Sequence, residues 1–388
     1  MDAQLTPANL LPDDRAAALL VGRAWLPQRG GPVPVAVRGD ALVDVGALAP
    51  TVSQLLELPD PVAALRGASS LPVVAGLADA LANADPSRRD ASRPWIVAPC
   101  DLQPVKACGV TFVESLLERV IEEQARGDAS RAQAVRAAVV GVIGEDLAAV
   151  RPGSPDAQRL KSVLIEQHAW SQYLEVGIGP DAEVFTKAAP MSSVGCGAEV
   201  GIHPGSAWNN PEPEVVLAVD SRGRVRGAAL GNDVNLRDFE GRSALLLGKA
   251  KDNNGSCAIG PFVRLLDDAF TIDDVRACEV TLRIEGPDGF TLDGASSMAR
   301  ISRDPLELVA HAIGRHHDYP DGMMLFLGTM FAPTKDRFGP GQGFTHVPGD
   351  VVSIRTPRLG ALVNRVGHTD GIERWRFGIG ALIAQLAR

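Results

Sequence analysis

Two glutamates one residue apart, Glu212 and Glu214, lead directly into the apolar run Val215 to Val219. That combination restricts what the chain can fold into. Residues i and i+2 of a strand point to the same face, so both acids lie side by side at the head of a segment suited to burial. Burying the pair uncompensated would cost several kcal/mol or force one carboxylate to take up a proton. A divalent cation removes the conflict, and Asp233, in Gly231-Asn232-Asp233-Val234, supplies a third acid. Three carboxylates, with water or substrate oxygens completing the shell, suit Mg2+ or Mn2+ better than zinc, which prefers nitrogen and sulfur. The plainer alternative is a solvated strand edge.

A chain of 388 residues can bury a full core, and 45% apolar content with only 5% aromatics fits a turn-rich globular enzyme. The net charge of -9 and the lack of a long Lys/Arg cluster argue against nucleic acid. No apolar run is long enough for a membrane span, and the residues after Met1 lack the pattern of a secretion signal. The five cysteines are scattered, odd in number and without a Cys-x-x-Cys pair. A reducing cytoplasm is the expected compartment.

Strand-like stretches at Pro32 to Arg38 and Leu42 to Val45, and a helical one at Thr51 to Leu56, predict a small mixed unit over residues 1–94. The polar, Pro-bounded run Ala84 to Pro94 reads as a linker to a second unit over 95–388. Val113, Leu116, Leu117, Val120 and Ile121 recur at helix spacing, with Glu118, Arg119, Glu122, Glu123 and Arg126 on the polar side. Ala132 to Val150 and Asp156 to Trp170 repeat the pattern. Beyond Trp170, short alternating runs at Glu279 to Ile284, Met323 to Leu327, Val351 to Arg355 and Ala361 to Val366 predict antiparallel or mixed strands. The fold class is therefore α+β.

Arg237, Lys249 and Lys187 could hold an anionic substrate beside a metal, although each taken alone reads more readily as an ordinary ion-paired or solvated cation. Ser192 and Thr329 are hydroxyl donors in tight turns. The seven histidines form no metal-ligand spacing, and Gly-x-Ser-x-Gly, Gly-x-Gly-x-x-Gly and phosphate-loop motifs are absent.

Taken in order, these pieces resemble the fumarylacetoacetate hydrolase superfamily. The resemblance rests on Phe185-Thr186-Lys187, the Glu212/Glu214 pair, Asn232 to Asp238, Gly248 to Asp252, Gly260-Pro261, Gly328-Thr329, Pro348 to Asp350 and Leu359 to Val366. It implies a β-rich roll preceded by a smaller amino-terminal domain, Mg2+ or Mn2+ on Glu212, Glu214 and Asp233, and a homodimer or homotetramer. Two departures stand out. Hydrolase members carry a His and a Glu in an Asn-Tyr-x-x-His-x-x-Glu segment that activates water, whereas this chain has Ser115 and Glu118 in Thr111 to Glu118. A serine cannot replace imidazole as a general base near pH 7. Glu240 stands where hydrolase members tend to have Gln.

The run Trp208 to Glu214 and the helices after Ser115 resemble the branch that dehydrates 2-keto-3-deoxy sugar acids. The implied reaction is loss of water from a 2-keto-3-deoxypentonate, such as 2-keto-3-deoxy-D-xylonate, giving 2,5-dioxopentanoate in bacterial pentose oxidation. Lys187 or Glu240 is then the expected base or acid. Lys249 or Lys187 would stabilise the enolate, and Ser115 and Glu118 would sit on a helix closing over the substrate. Arg237, Thr329 and Ser192 would bind substrate oxygens. A hydrolase or decarboxylase of a 2,4-diketo acid, and a non-catalytic sugar-acid binder, are the alternatives.

Overall fold

A computed structural model describes residues 1–143, 150–166, 168–331 and 333–388. Its organising unit is the hairpin that carries the three acids. Strand Pro213–Val219 runs antiparallel to Val225–Asp233, with Pro213 opposite Asn232 and Glu214 opposite Gly231. Asp220 fixes the turn: its Oδ1 accepts from the backbone N–H groups of Arg222 and Arg224 at 3.0 and 2.9 Å. Register matters here, because a slip of one residue would turn every side chain of the strand to the other face.

The hairpin lies at the centre of an eleven-stranded sheet. On one side come Cys257–Leu265, Leu20–Leu26, Gly31–Arg38, Ala41–Asp44 and Val73–Gly76, with Trp95–Val97 also pairing to Leu20–Leu26. On the other come Met323–Phe326, Val105–Cys108 and Val184–Ala188. A five-stranded sheet of Thr291–Ser297, Glu279–Glu285, Val351–Thr356, Gly360–His368 and Glu199–Ile202 packs across it. Alternation along Pro213–Val219 explains the layering. Val215, Leu217 and Val219 join Leu282, Ile284, Ile354 and Leu362 of the second sheet in one core. Val216 and Ala218 point the other way, towards Leu55 and Leu65 of the helices Val52–Glu57 and Pro61–Gly67. Every residue of the strand is buried, which is why it reads as a continuous apolar run.

The helices Val113–Ala125, Pro155–Glu166 and Gln172–Ile178 form a separate cluster through Leu116, Val120, Ile121, Leu164, Leu174 and Ile178. The helix expected over Ala132 to Val150 is present as Ala129–Ile143, and the remainder of that expectation, residues 144–149, lies outside the described residues. The helix expected to reach Trp170 ends at Glu166, and residue 167 is likewise outside the described residues. Ser171 then caps a further helix, its side chain accepting from Tyr173 N.

The mixed α+β class follows the expectation. The Ala84 to Pro94 run is held by its own polar groups, with Asn83 Nδ2 donating to the carbonyls of Asp90, Arg93 and Pro94. Strands from both sides of it hydrogen bond in one sheet, Leu20 lying opposite Arg264 and Val21 opposite Val263. All five cysteines are free and buried. Among the described residues no helix is long and apolar enough to cross a membrane.

Candidate metal centre

Hairpin register brings the acids together. Glu212 immediately precedes its strand, and its carbonyl accepts from Asp233 N at 3.0 Å. Glu212, Glu214 and Asp233 are all buried, and one carboxylate oxygen of each lies within 4.8 Å of the others. Burial, followed by the charges of Asp233 and Glu212, pushes the Glu214 carboxyl well above the usual carboxylate range. Its one backbone donor is Gly328 N, 2.7 Å from Oε2. That turn requires glycine: Gly328 has φ +98°, and a Cβ there would lie 2.0 Å from Thr111 Oγ1. Asp233 differs. Burial alone would raise its carboxyl, but Lys187 and Lys251 hold it below the usual value. Buried, mutually repelling oxygen donors on a rigid hairpin fit a hard divalent cation.

Two lysines serve the cluster. Lys251 Nζ lies 2.5 Å from Glu212 Oε2 and 3.0 Å from Asp233 Oδ2. Lys187 Nζ is 2.7 Å from Asp233 Oδ1, donates to Val234 O at 3.0 Å and also to the carbonyl of Lys251. Lys187 is fully enclosed by these partners. The buried lysine near the acids that the sequence reading missed is Lys251. Lys249, expected there, is exposed and rests over the Phe239 ring.

The polar side of helix Val113–Ala125 faces inward. Ser115, Arg119 and Glu122 are buried, at positions that helical spacing stacks on one face. Arg119 donates to Glu212, to Glu122 Oε2 at 2.5 Å, and lies 3.3 Å from Glu240 Oε1. Burial works against its charge, yet Glu122, Glu240 and Glu212 together hold the guanidinium protonated. Arg237 extends the chain of charges: its Nε lies 2.5 Å from Glu122 Oε1 and its Nη2 2.8 Å from Glu118 Oε2, with the guanidinium 4.4 Å over the Trp208 ring. Glu118 is also gripped by Arg136.

A narrow cleft opens beside the acids, lined among others by Ser115, Glu183, Phe185, Glu240, Lys251 and Thr329. Ser115 Oγ donates to the carbonyl of Phe112 at 2.8 Å. Glu240 is buried, its Oε2 without a hydrogen-bond partner among the described residues, and burial raises its carboxyl despite Arg119 and Lys251. Glu183 escaped the sequence reading. It precedes strand Val184–Ala188, two residues before Phe185, and both line the cleft. Burial, then the charge of Glu240, pushes its carboxyl up to about 7. Gly109 leaves room for it, since a Cβ there would lie 1.9 Å from Glu183 Oε2.

Among the residues expected from sequence, the structure thus brings Glu212, Glu214, Asp233, Lys187, Glu240, Ser115 and Thr329 to or beside one cleft. Arg237 and Glu118 stand behind it as an ion-paired support and line no part of it. Ser192 belongs elsewhere. Its Oγ donates to Ala189 O, and it lines a different cavity because the chain turns away after Lys187.

The chain is 32% identical over 194 residues to a probable 2-keto-3-deoxyxylonate dehydratase of Haloferax volcanii, covering 50% of this chain and 63% of that protein. It is 30% identical over 184 residues to a 2-dehydro-3-deoxy-D-arabinonate dehydratase of Saccharolobus solfataricus, covering 47% and 58%. The matches therefore span less than two thirds of these curated relatives. In fold it superposes on 2-keto-3-deoxy-D-arabinonate dehydratase complexed with magnesium and 2,5-dioxopentanoate, at a TM-score of 0.62 and 21% identity over 90% of this chain and 99% of that one. The family description fumarylacetoacetate (FAA) hydrolase C-terminal matches residues 169–367, about half of the sequence. With the acid hairpin, both lysines and the Gly328 turn inside that span, the chain belongs to the fumarylacetoacetate hydrolase family.

Proposed function

We propose that this protein is a metal-dependent dehydratase of a 2-keto-3-deoxypentonate, releasing 2,5-dioxopentanoate. The observation that carries the proposal is the buried convergence of Glu212, Glu214 and Asp233 beside a cleft holding two further carboxyls, Glu183 and Glu240, that burial raises above the usual carboxylate range. The relatives named above support the substrate class. A 2-keto-3-deoxypentonate keeps one stereocentre, at C4, so in the D series the xylonate and arabinonate names denote the same molecule.

A divalent cation held by the three acids would supply positive charge to the adjacent carboxylate and ketone oxygens of a 2-oxo acid, acidifying C3. Lys251 pairs with both Glu212 and Asp233 and keeps them in place, and Lys187 fixes Asp233 from behind. Glu183, poised at about 7, takes the C3 proton. Glu240, its carboxyl raised by burial, gives a proton to the departing C4 hydroxyl, so one water leaves and a C3–C4 double bond forms. Moving a proton from C5 to C3 gives the enol of the product aldehyde. Thr329 lines the same cleft, and its hydroxyl, now donating to Phe331 O at 3.0 Å, would turn to a substrate oxygen. Arg119 spans Glu212 and Glu240 across the cleft, so substrate entry requires its side chain to swing aside.

Hydrolysis of a 2,4-diketo acid is less well served, because Ser115 stands in the imidazole position and spends its proton on Phe112 O. The test is NMR of the product formed from 2-keto-3-deoxy-D-xylonate with Mg2+, run beside the C4 epimer. An aldehyde carbon from 2,5-dioxopentanoate is expected. Release of pyruvate, or tight binding without product, overturns the proposal.

A further inference from the structure

A second cavity, of about 390 Å³, lies between the amino-terminal strands, the Met191 to Ala198 loop and the carboxy-terminal segment Glu373 to Phe377. It shares no lining residue with the acid cleft. Its walls are aromatic. Trp25 stacks on Trp95 with ring centroids 5.4 Å apart, Phe377 meets Trp25 edge-on at 5.3 Å, and Trp375 is 48% exposed nearby.

The floor carries a charge. Arg23 is only 5% exposed and lines the cavity. Its Nε donates to Ala98 O at 2.8 Å and its Nη1 to Met191 Sδ at 3.4 Å, and neither partner is an anion. Among the described residues, its Nη2 has no hydrogen-bond acceptor and no carboxylate pairs with the guanidinium. Met191 takes φ +70°, a left-handed backbone unusual for a side chain of that size, to hold its sulfur there. Arg89, by contrast, is neutralised by Glu373 at 2.8 and 2.9 Å. In a chain of net charge -9 this cavity gathers Arg23, Arg89, Arg374 and Arg376 against Glu199 and Glu373.

A guanidinium almost removed from water and left without a counter-charge is costly unless an anion completes it. The aromatic wall beside it suits a flat or apolar body. We propose that this cavity is a second ligand site, binding a small organic carboxylate with a flat apolar body, its anionic head on Arg23 and its body against the wall formed by Trp25, Phe377 and the exposed Trp375.

The probe is benzoate, with uncharged benzamide as control, titrated by calorimetry and tryptophan fluorescence into the Mg2+-loaded full chain. One benzoate per chain is expected, at least about tenfold tighter than benzamide. Binding should survive Glu214→Gln, which disables the acid cluster, and fall about tenfold or more in Arg23→Met. Because Arg23 is buried, Trp375→Ala serves as a second variant at an exposed position, and it should weaken benzoate while leaving turnover unchanged. Equal binding of benzamide, loss of binding in Glu214→Gln, or indifference to both Arg23→Met and Trp375→Ala overturns the proposal. So does self-association that Trp375→Ala abolishes while benzoate gives no heat, which would make the face a contact between two copies.

Discussion

Lys251 and Lys249 stand two positions apart on the short helix Leu247–Lys251 and face opposite ways, the first 2.5 Å from Glu212 Oε2 and the second in solvent over Phe239. Two helical steps amount to roughly 200° of rotation, which is enough to separate a buried charge from an exposed one. Lys251→Met should lower kcat by about 10²-fold or more, since it removes the cation that bridges Glu212 and Asp233, whereas Lys249→Met should change it less than about twofold. Steady-state kinetics on the two variants checks this, and equal effects would contradict the assignment.

Glu214→Gln tests the metal. In the wild type, Mg2+ at a hundred times its dissociation constant should raise stability by about 2.7 kcal/mol. The variant should lose most of that gain and its metal-dependent turnover. Its metal-free form should melt no lower than the wild type, because a carboxylate repelled by Asp233 and Glu212 has been removed. Thermal melts with and without Mg2+ give the answer.

Glu183→Gln should lower kcat about 10² to 10⁴-fold with little change in KM, the range expected for a general base. Only the carboxylate form can accept the C3 proton, so wild-type activity should rise with pH along a limb at or below about 7. A bound cation shifts that limb downward by adding positive charge. In the variant the limb should vanish.

Acid should weaken the fold at two ion pairs outside the cleft, one half-buried and one buried. Asp14 is held below its usual value by hydrogen bonds from Arg264 at 2.6 and 2.8 Å. Asp350 is also held low: burial opposes this, but His346 Nδ1 and both Arg337 Nη atoms donate to it at 2.8 Å. Depressed carboxylates of this kind stabilise the folded state above the ordinary value near ~3.9 and lose that contribution as pH falls below it, through the folded value. Asp350→Asn should cost about 3 to 5 kcal/mol at pH 7 and flatten the decline between about pH 4 and 2. Denaturant midpoints across that range measure both effects.

The acid hairpin was legible because strand alternation has a period of two and the apolar run marks its buried face. The same period, counted back from Phe185, reaches Glu183, but a lone acid outside a motif gives no other sign. Arg119 and Glu122 sit on the polar face of an amphipathic helix, and the pattern alone does not tell solvent from a charged cleft. Their partners come from residues more than ninety positions away, Glu212 and Arg237, so only the tertiary fold pairs them. Lys249 was favoured over Lys251 because a helix of five residues is too short to show a periodicity.

The pairing of Leu20–Leu26 with Cys257–Leu265 bears on how such a protein can be shortened or recombined. Cys257 is the neighbour of Asp233 across the next pair of strands. Trimming the first ninety or so residues would bare a long apolar edge one strand from the acids, inviting clumping and slackening the ligand cage together. Fusion partners and grafts therefore belong on surface turns, such as the one around Gly289, rather than at the polar bend before Trp95.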